Sequence, residues 1–163
     1  MCLSSVRWEP AHPSVRGVVV VIHGLRDYSD RYGRLAETLQ PQGFAVVAQD
    51  HRGHGHSGGD RQRMESLQQL VDDVDGVVQD ARVRHPDAPV VVFGHRMGGL
   101  IATHDALQHT PDVSGLSLSG AAIALPPGCP ASTRDSSPTR SCPRAPPRRS
   151  SPPSKRSRGG SRT

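Results

Sequence analysis

Runs of apolar, β-branched residues alternate along this chain with stretches whose apolar positions recur every three or four residues. Val18-Val19-Val20-Val21-Ile22 is the first run, Phe44-Ala45-Val46-Val47-Ala48 the second and Val90-Val91-Val92-Phe93 the third. Unbroken runs suit strands buried on both faces, as in a parallel sheet; a strand with one wet face would alternate. A fourth strand is predicted over 113–119, with Leu116 and Leu118 on one face. Between the runs the period becomes helical. Tyr32, Leu35, Ala36 and Leu39 share one helical face, with Asp30 placed to cap the helix and Pro41 and Gly43 to close it. Leu67, Leu70, Val71, Val74, Val77, Val78 and Ala81 form one stripe of a helix predicted over 65–84, and Asp72, Asp73, Asp75 and Asp80 fall on its solvated side. A third helix is predicted over Met97–Gln108, carrying Leu100, Ile101 and Leu107 and ending at Thr110-Pro111. The order β-α-β-α-β-α-β, with crossovers of this length, predicts parallel pairing and helices on both sheet faces.

The pattern stops after Ala124, and the composition changes with it. Residues 1–128 hold 11 basic and 14 acidic residues, a net charge of −3; residues 129–163 hold 9 basic residues and one Asp, a net of +8. The overall charge of +5 therefore belongs to the end of the chain. That segment has no aromatic and no large aliphatic side chain, so it cannot bury enough apolar surface to offset the entropy of ordering. The reading is an N-terminal extension over 1–13, an α/β domain over 14–128 and a disordered Pro/Ser/Arg-rich basic tail over 129–163. The tail's Arg148-Arg149-Ser150-Ser151 and Ser154-Lys155-Arg156-Ser157-Arg158 admit two accounts. GC-rich coding DNA read in a shifted frame yields this composition, and this is the account favoured here. The alternative is a non-catalytic binding or regulatory protein whose basic arm contacts nucleic-acid phosphates.

Cys2, Cys129 and Cys142 set no disulfide framework and no metal spacing. No run is long and apolar enough to span a membrane, and the first 16 residues lack the apolar core of a signal peptide. A cytoplasmic protein is expected.

The most informative stretch follows the third run: Gly94-His95-Arg96-Met97-Gly98-Gly99. Strand, glycine-bounded pentapeptide and helix are the layout of a nucleophile elbow, G-x-S-x-G, whose sharp turn lifts one side chain above the sheet. The central residue of that pattern is Ser; here it is Arg96. A second dense stretch is Asp50-His51-Arg52-Gly53-His54-Gly55-His56-Ser57-Gly58-Gly59. Three neighbouring histidines with Asp60 invite a metal reading, yet their spacing fits no ligand set, and no metal is expected. Asp50 is expected to cap local backbone N–H groups, and His23 to stabilise the loop bearing Leu25. His104 and Asp105 follow the elbow on its own helix and read as surface residues.

These pieces, together with Ile22-His23-Gly24, the Arg31-Tyr32 pair and Leu116-Ser117-Leu118-Ser119-Gly120-Ala121, occur in the order of one family. The chain resembles the α/β-hydrolase fold family, within it the monoacylglycerol lipase and lysophospholipase group, which overlaps the serine aminopeptidase group. The likeness covers about residues 14–128, less than half of a complete member. It implies the N-terminal part of a doubly wound, mainly parallel α/β-hydrolase sheet. It also implies ester hydrolysis by an activated serine, with a monoacylglycerol or lysophospholipid as small-molecule partner in intact relatives, peripheral membrane contact and no cofactor. By the same likeness the backbone N–H groups of Leu25 and Met97 would form the oxyanion hole, with Gly94, His95, Gly98, His23 and Gly24 shaping elbow and loop. The family's acid and histidine would follow beyond the fourth strand, where this sequence has no counterpart. A guanidinium is always protonated and offers no lone pair, so it cannot attack a carbonyl. The resemblance therefore implies a hydrolytic ancestry, and the residues imply an inert chain.

Overall fold

A computed structural model of the chain describes residues 2–11, 14–64, 66–109 and 113–123. The expected basic tail, and Thr110-Pro111 at the end of the third predicted helix, lie outside the described residues. The strands are β1 (Ser5–Trp8), β2 (Gly17–Ile22), β3 (Phe44–Gln49), β4 (Val90–His95) and β5 (Gly115–Ser119). The helices are α1 (Gly33–Leu39), α2 (Leu67–Arg84) and α3 (Met97–Gln108).

The strands form one sheet in the order β1-β3-β2-β4-β5. β2 pairs in parallel with β3 and β4, and β4 in parallel with β5, in the register Val20 opposite Val47 and Val92, and Val92 opposite Leu116. β1 runs antiparallel to β3, with Val6 opposite Ala48. This edge strand is absent from the sequence-based prediction. Four residues, only partly covered by the protein, carry too little periodicity to announce a strand.

The all-apolar runs explain the layering. Side chains alternate between sheet faces, so a strand apolar throughout needs cover on both sides. Val18, Val20 and Ile22 of β2 point to one side, with Val90 and Val92, and pack against Val71, Val74 and Val78 of α2 and Ile101 and Ala102 of α3. Val21, Val46 and Ala48 point to the other side, where Ala36 of α1 and the flanking Leu35, Leu39 and Trp8 meet them. Helices on both faces and a mainly parallel sheet make this a doubly wound α/β arrangement. Each fully buried valine contributes about 1.5–3 kcal/mol through loss of water contact.

Two predicted boundaries shift for local reasons. Asp30 does not cap a helix: Ser29–Tyr32 is a 3-10 turn, and α1 begins at Gly33 after an uncapped Tyr32. α2 starts at Leu67, because the Ser66 hydroxyl accepts the Gln68 N–H and supplies the cap. No described helix is long and apolar enough to cross a membrane.

Candidate active site

The C-terminal ends of β2, β3 and β4 converge on one edge of the sheet, where open α/β sheets place their ligands. Three loops meet there: His23–Asp27 after β2, the glycine-rich segment after β3, and the β4–α3 turn.

The β4–α3 turn is a sharp elbow. Arg96 sits at its apex with φ 52° and ψ −115°, a conformation that side-chain-bearing residues rarely adopt. The turn is tight enough to demand glycine on either side. A Cβ on Gly98 would overlap the Ile22 carbonyl oxygen, and one on Gly94 would lie 2.6 Å from the Gly99 Cα. The elbow is held from behind: the Arg96 N–H donates to the Ser119 carbonyl, and the Arg96 carbonyl accepts from Ala122, both at 3.0 Å. His95 reaches the Ser119 hydroxyl through Nδ1 at 3.2 Å.

Gly24 lies directly beneath the apex; a Cβ there would stand 3.2 Å from the Arg96 Cβ. Leu25 follows, half-exposed at the mouth. Among the described residues, no acceptor takes the N–H of Leu25 or of Met97. Met97 is the first residue of α3, where a helix leaves its N–H groups unpaired. The apex side chain, Arg96, is exposed and pairs with no carboxylate of the described residues. A cleft of about 290 Å³ opens beside it, lined by Leu25, Arg26, Asp27, Arg31, His95 and Arg96 with Gly24.

The glycine-rich loop is braced by one carboxylate. Asp50 Oδ1 accepts the Ser29 N–H at 2.7 Å and Oδ2 the His56 N–H at 2.8 Å. Burial alone would raise its pKa, but these N–H bonds favour the charged form and hold it below the usual carboxylate range. Asp50 thus caps backbone, as its position in the sequence suggests.

Three imidazoles pack behind the loop. His23 Nδ1 donates to the Gly24 carbonyl at 2.7 Å, and its Nε2 accepts the His51 N–H at 3.0 Å. His51 Nε2 donates to the His23 carbonyl at 3.0 Å. His54 lies edge-on to His51, its Nδ1 donating to the Arg52 carbonyl. Burial lowers the pKa of His23 and pushes His51 down to about 3, with neighbouring histidines adding to the effect on His51. His23 does tie the loop that bears Leu25 to the start of the β3 loop. His56 instead points outward, 3.6 Å from Asp30. The three histidines of the loop are therefore not gathered at one point.

His104 and Asp105 are on α3, away from the elbow's apex. Asp105 corrects the surface reading: it is only 1% exposed. The Nδ1 of His109, at the C-terminal end of α3, lies 3.1 Å from its Oδ1, and Asp75 of α2 stands nearby. Burial raises its pKa. The signal missed was helical spacing, since Asp105 falls four residues after the buried Ile101.

A sharp strand–turn–helix elbow at the C-terminal edge of a mainly parallel sheet, with an open cleft beside it, marks the α/β-hydrolase class. The family described as "Serine aminopeptidase, S33" matches residues 13–158, and the chain belongs to it. The chain is 39% identical over 116 residues to a monoacylglycerol lipase of Mycolicibacterium smegmatis, covering 71% of this chain and 41% of that one. It is 34% identical over 111 residues to human monoglyceride lipase, covering 68% and 36%. The crystal structure of Paleococcus ferrophilus monoacylglycerol lipase superposes with a TM-score of 0.68 at 32% identity, over 80% of this chain and 48% of that one. The chain thus spans about two fifths of the length of the curated relatives it matches.

Proposed function

We propose that this chain is an ester-hydrolase relative that has lost turnover and retains the scaffold of an acyl-binding site. The observation that carries this reading is the identity of the apex residue: Arg96 holds the strained backbone of an elbow and has no nucleophilic atom. A hydrolytic elbow works by presenting a hydroxyl to a base, with a third group orienting that base. The 163 residues contain no histidine after His109, and Asp135 is the one carboxylate after Asp112. Among the described residues the ring hydrogen bonds of His23, His51 and His54 run to backbone groups of Gly24, His51, His23 and Arg52, and His51 Nδ1 and His54 Nε2 are buried without a partner; none runs to the apex.

The substrate class follows from the relatives. Their printed names are monoacylglycerol lipase and monoglyceride lipase, which supports a lipid ester as the ancestral ligand. In this reading Leu25 and Met97 keep their oxyanion-hole N–H groups, because backbone donors survive a change of side chain. Gly94, His95, Gly98, His23 and Gly24 keep the hole in shape. Removing triad members leaves at most roughly 10³–10⁴-fold acceleration over water in a complete enzyme, and less is expected here. The test is release of fatty acid from a monoacylglycerol by the purified chain. No release above a heat-treated control is expected; sustained release that co-purifies with the chain would overturn the reading.

A further inference from the structure

We propose that the Arg96 cleft is an oxyanion-binding site that takes a carboxylate or phosphate edge. This inference rests on the reading that Arg96 stands where an esterase has its nucleophile, and it extends that reading from loss of chemistry to a new ligand.

The cleft is small and charged. Three guanidinium groups line it, Arg26, Arg31 and Arg96, against one carboxylate, Asp27. Asp27 is already engaged: it lies 3.3 Å from Arg31 and accepts the Tyr32 hydroxyl at 3.0 Å. Arg26 donates to the neutral Gln62 amide, so its charge stays unbalanced. Arg96 has no anionic partner among the described residues. Two positive charges thus face a cleft of about 290 Å³ without a counter-charge.

The backbone adds directed donors. The N–H of Leu25, which lines the cleft, and that of Met97, next along the chain from Arg96, have no acceptor among the described residues, and Met97 opens a 12-residue helix whose positive end adjoins Arg96. In an esterase this hole faces a transient oxyanion. With a fixed guanidinium beside it, the set suits a stable one, one oxygen on the backbone donors and its neighbour on the planar fork of Arg96. Strain points to the same place. Arg26, Gln62 and Arg96 are the side-chain-bearing residues with positive φ among those described, and Arg26 bonds Gln62 at the cleft's rim.

The experiment is titration calorimetry on the full 163-residue chain with sodium octanoate, inorganic phosphate and neutral 1-octanol. Octanoate or phosphate is expected to bind, more tightly at low salt, and octanol not at all. Preference for octanoate assigns the site to a fatty-acid carboxylate, and preference for phosphate to a phosphate group. Arg96→Gly removes the guanidinium while suiting the positive φ, and should weaken oxyanion binding about tenfold or more. Arg31→Gln should weaken it less, because Arg31 is already paired. A thermal melt establishes that each variant is folded. No oxyanion binding by folded wild-type chain, or undiminished binding by folded Arg96→Gly, overturns the proposal and leaves the loss of turnover standing. Ester release would overturn the parent reading instead.

Discussion

The Arg96 N–H donates to the Ser119 carbonyl across 3.0 Å, so the last residue of β5 fixes the apex of the turn after β4. The return bond from Ala122 to the Arg96 carbonyl completes a clamp of two hydrogen bonds. The elbow's shape is thus imposed by the neighbouring strand and by glycine contacts, and tolerates an unsuitable side chain at its apex. Stability tests of the apex follow directly.

Arg96→Gly should be more stable than Arg96→Ala by about 1–2 kcal/mol in urea unfolding, because positive φ penalises any Cβ. Both variants lose the same guanidinium, so their difference isolates the backbone. Equal stability, or Ala above Gly, would mean the apex is not strained.

Gly98 and Gly76 should respond in opposite directions to alanine. A Cβ at Gly98 overlaps the Ile22 carbonyl, so Gly98→Ala should cost about 1–3 kcal/mol. A Cβ at Gly76 meets nothing within 4 Å, and the residue lies mid-helix in α2. Gly76→Ala should therefore gain about 0.5–1 kcal/mol. Thermal melts of the two variants check both signs.

Acid stability should be governed first by His51. Burial lowers its folded pKa from 6.5 to about 3, so the unfolded chain takes up its proton first. The stability it contributes is present above pH 6.5 and is lost as pH falls from 6.5 toward 3. The loss amounts to about 1.4 kcal/mol per pH unit within that window. His51→Gln should flatten this slope in urea titrations at successive pH values; an unchanged slope would remove His51 from the account. Below the carboxylate value of 3.8 Asp50 takes over, since its folded pKa is depressed and its contribution is lost as pH falls through it.

Much of this was legible in the sequence, for identifiable reasons. Val18 to Ile22 and Val90 to Phe93 are apolar throughout because they lie inside a sheet covered on both faces, and nothing else suits such runs. The α2 stripe was readable because Leu70, Val71, Val74 and Val78 all face one core. β1 was not readable, since Ser5–Trp8 depends on β3 for its shape and carries little pattern of its own. Asp105 misled because a carboxylate reads as surface from its type, while its position on α3 buries it beside His109. Asp30 resembled a cap, but it lies inside a 3-10 turn, where the Gly33 N–H bonds its backbone carbonyl and no side-chain cap forms. The elbow itself was legible from glycine spacing, and the resemblance pointed to the Leu25 and Met97 N–H groups beside it, whereas the cluster of Arg26, Arg31 and Arg96 around one cleft was not legible, because Arg96 is distant in sequence from the other two.

Arg96→Ser alone should restore no measurable ester turnover, despite returning a hydroxyl to the apex. Among the described residues no histidine hydrogen-bonds at the apex: His23, His51 and His54 bond backbone groups, and His95 bonds the Ser119 hydroxyl. Serine without a base stays protonated and weakly nucleophilic. Turnover by this single variant, measured with a monoacylglycerol, would show that a base has been overlooked.

The most direct measurement is reaction of the full chain with a fluorophosphonate probe, read by intact-protein mass spectrometry. The probe needs an activated hydroxyl and ignores a guanidinium. The expected spectrum is that of unmodified protein, with or without prolonged incubation. One probe per chain, placed by peptide mapping on any residue of the cleft, would contradict the claim that this elbow carries no nucleophile.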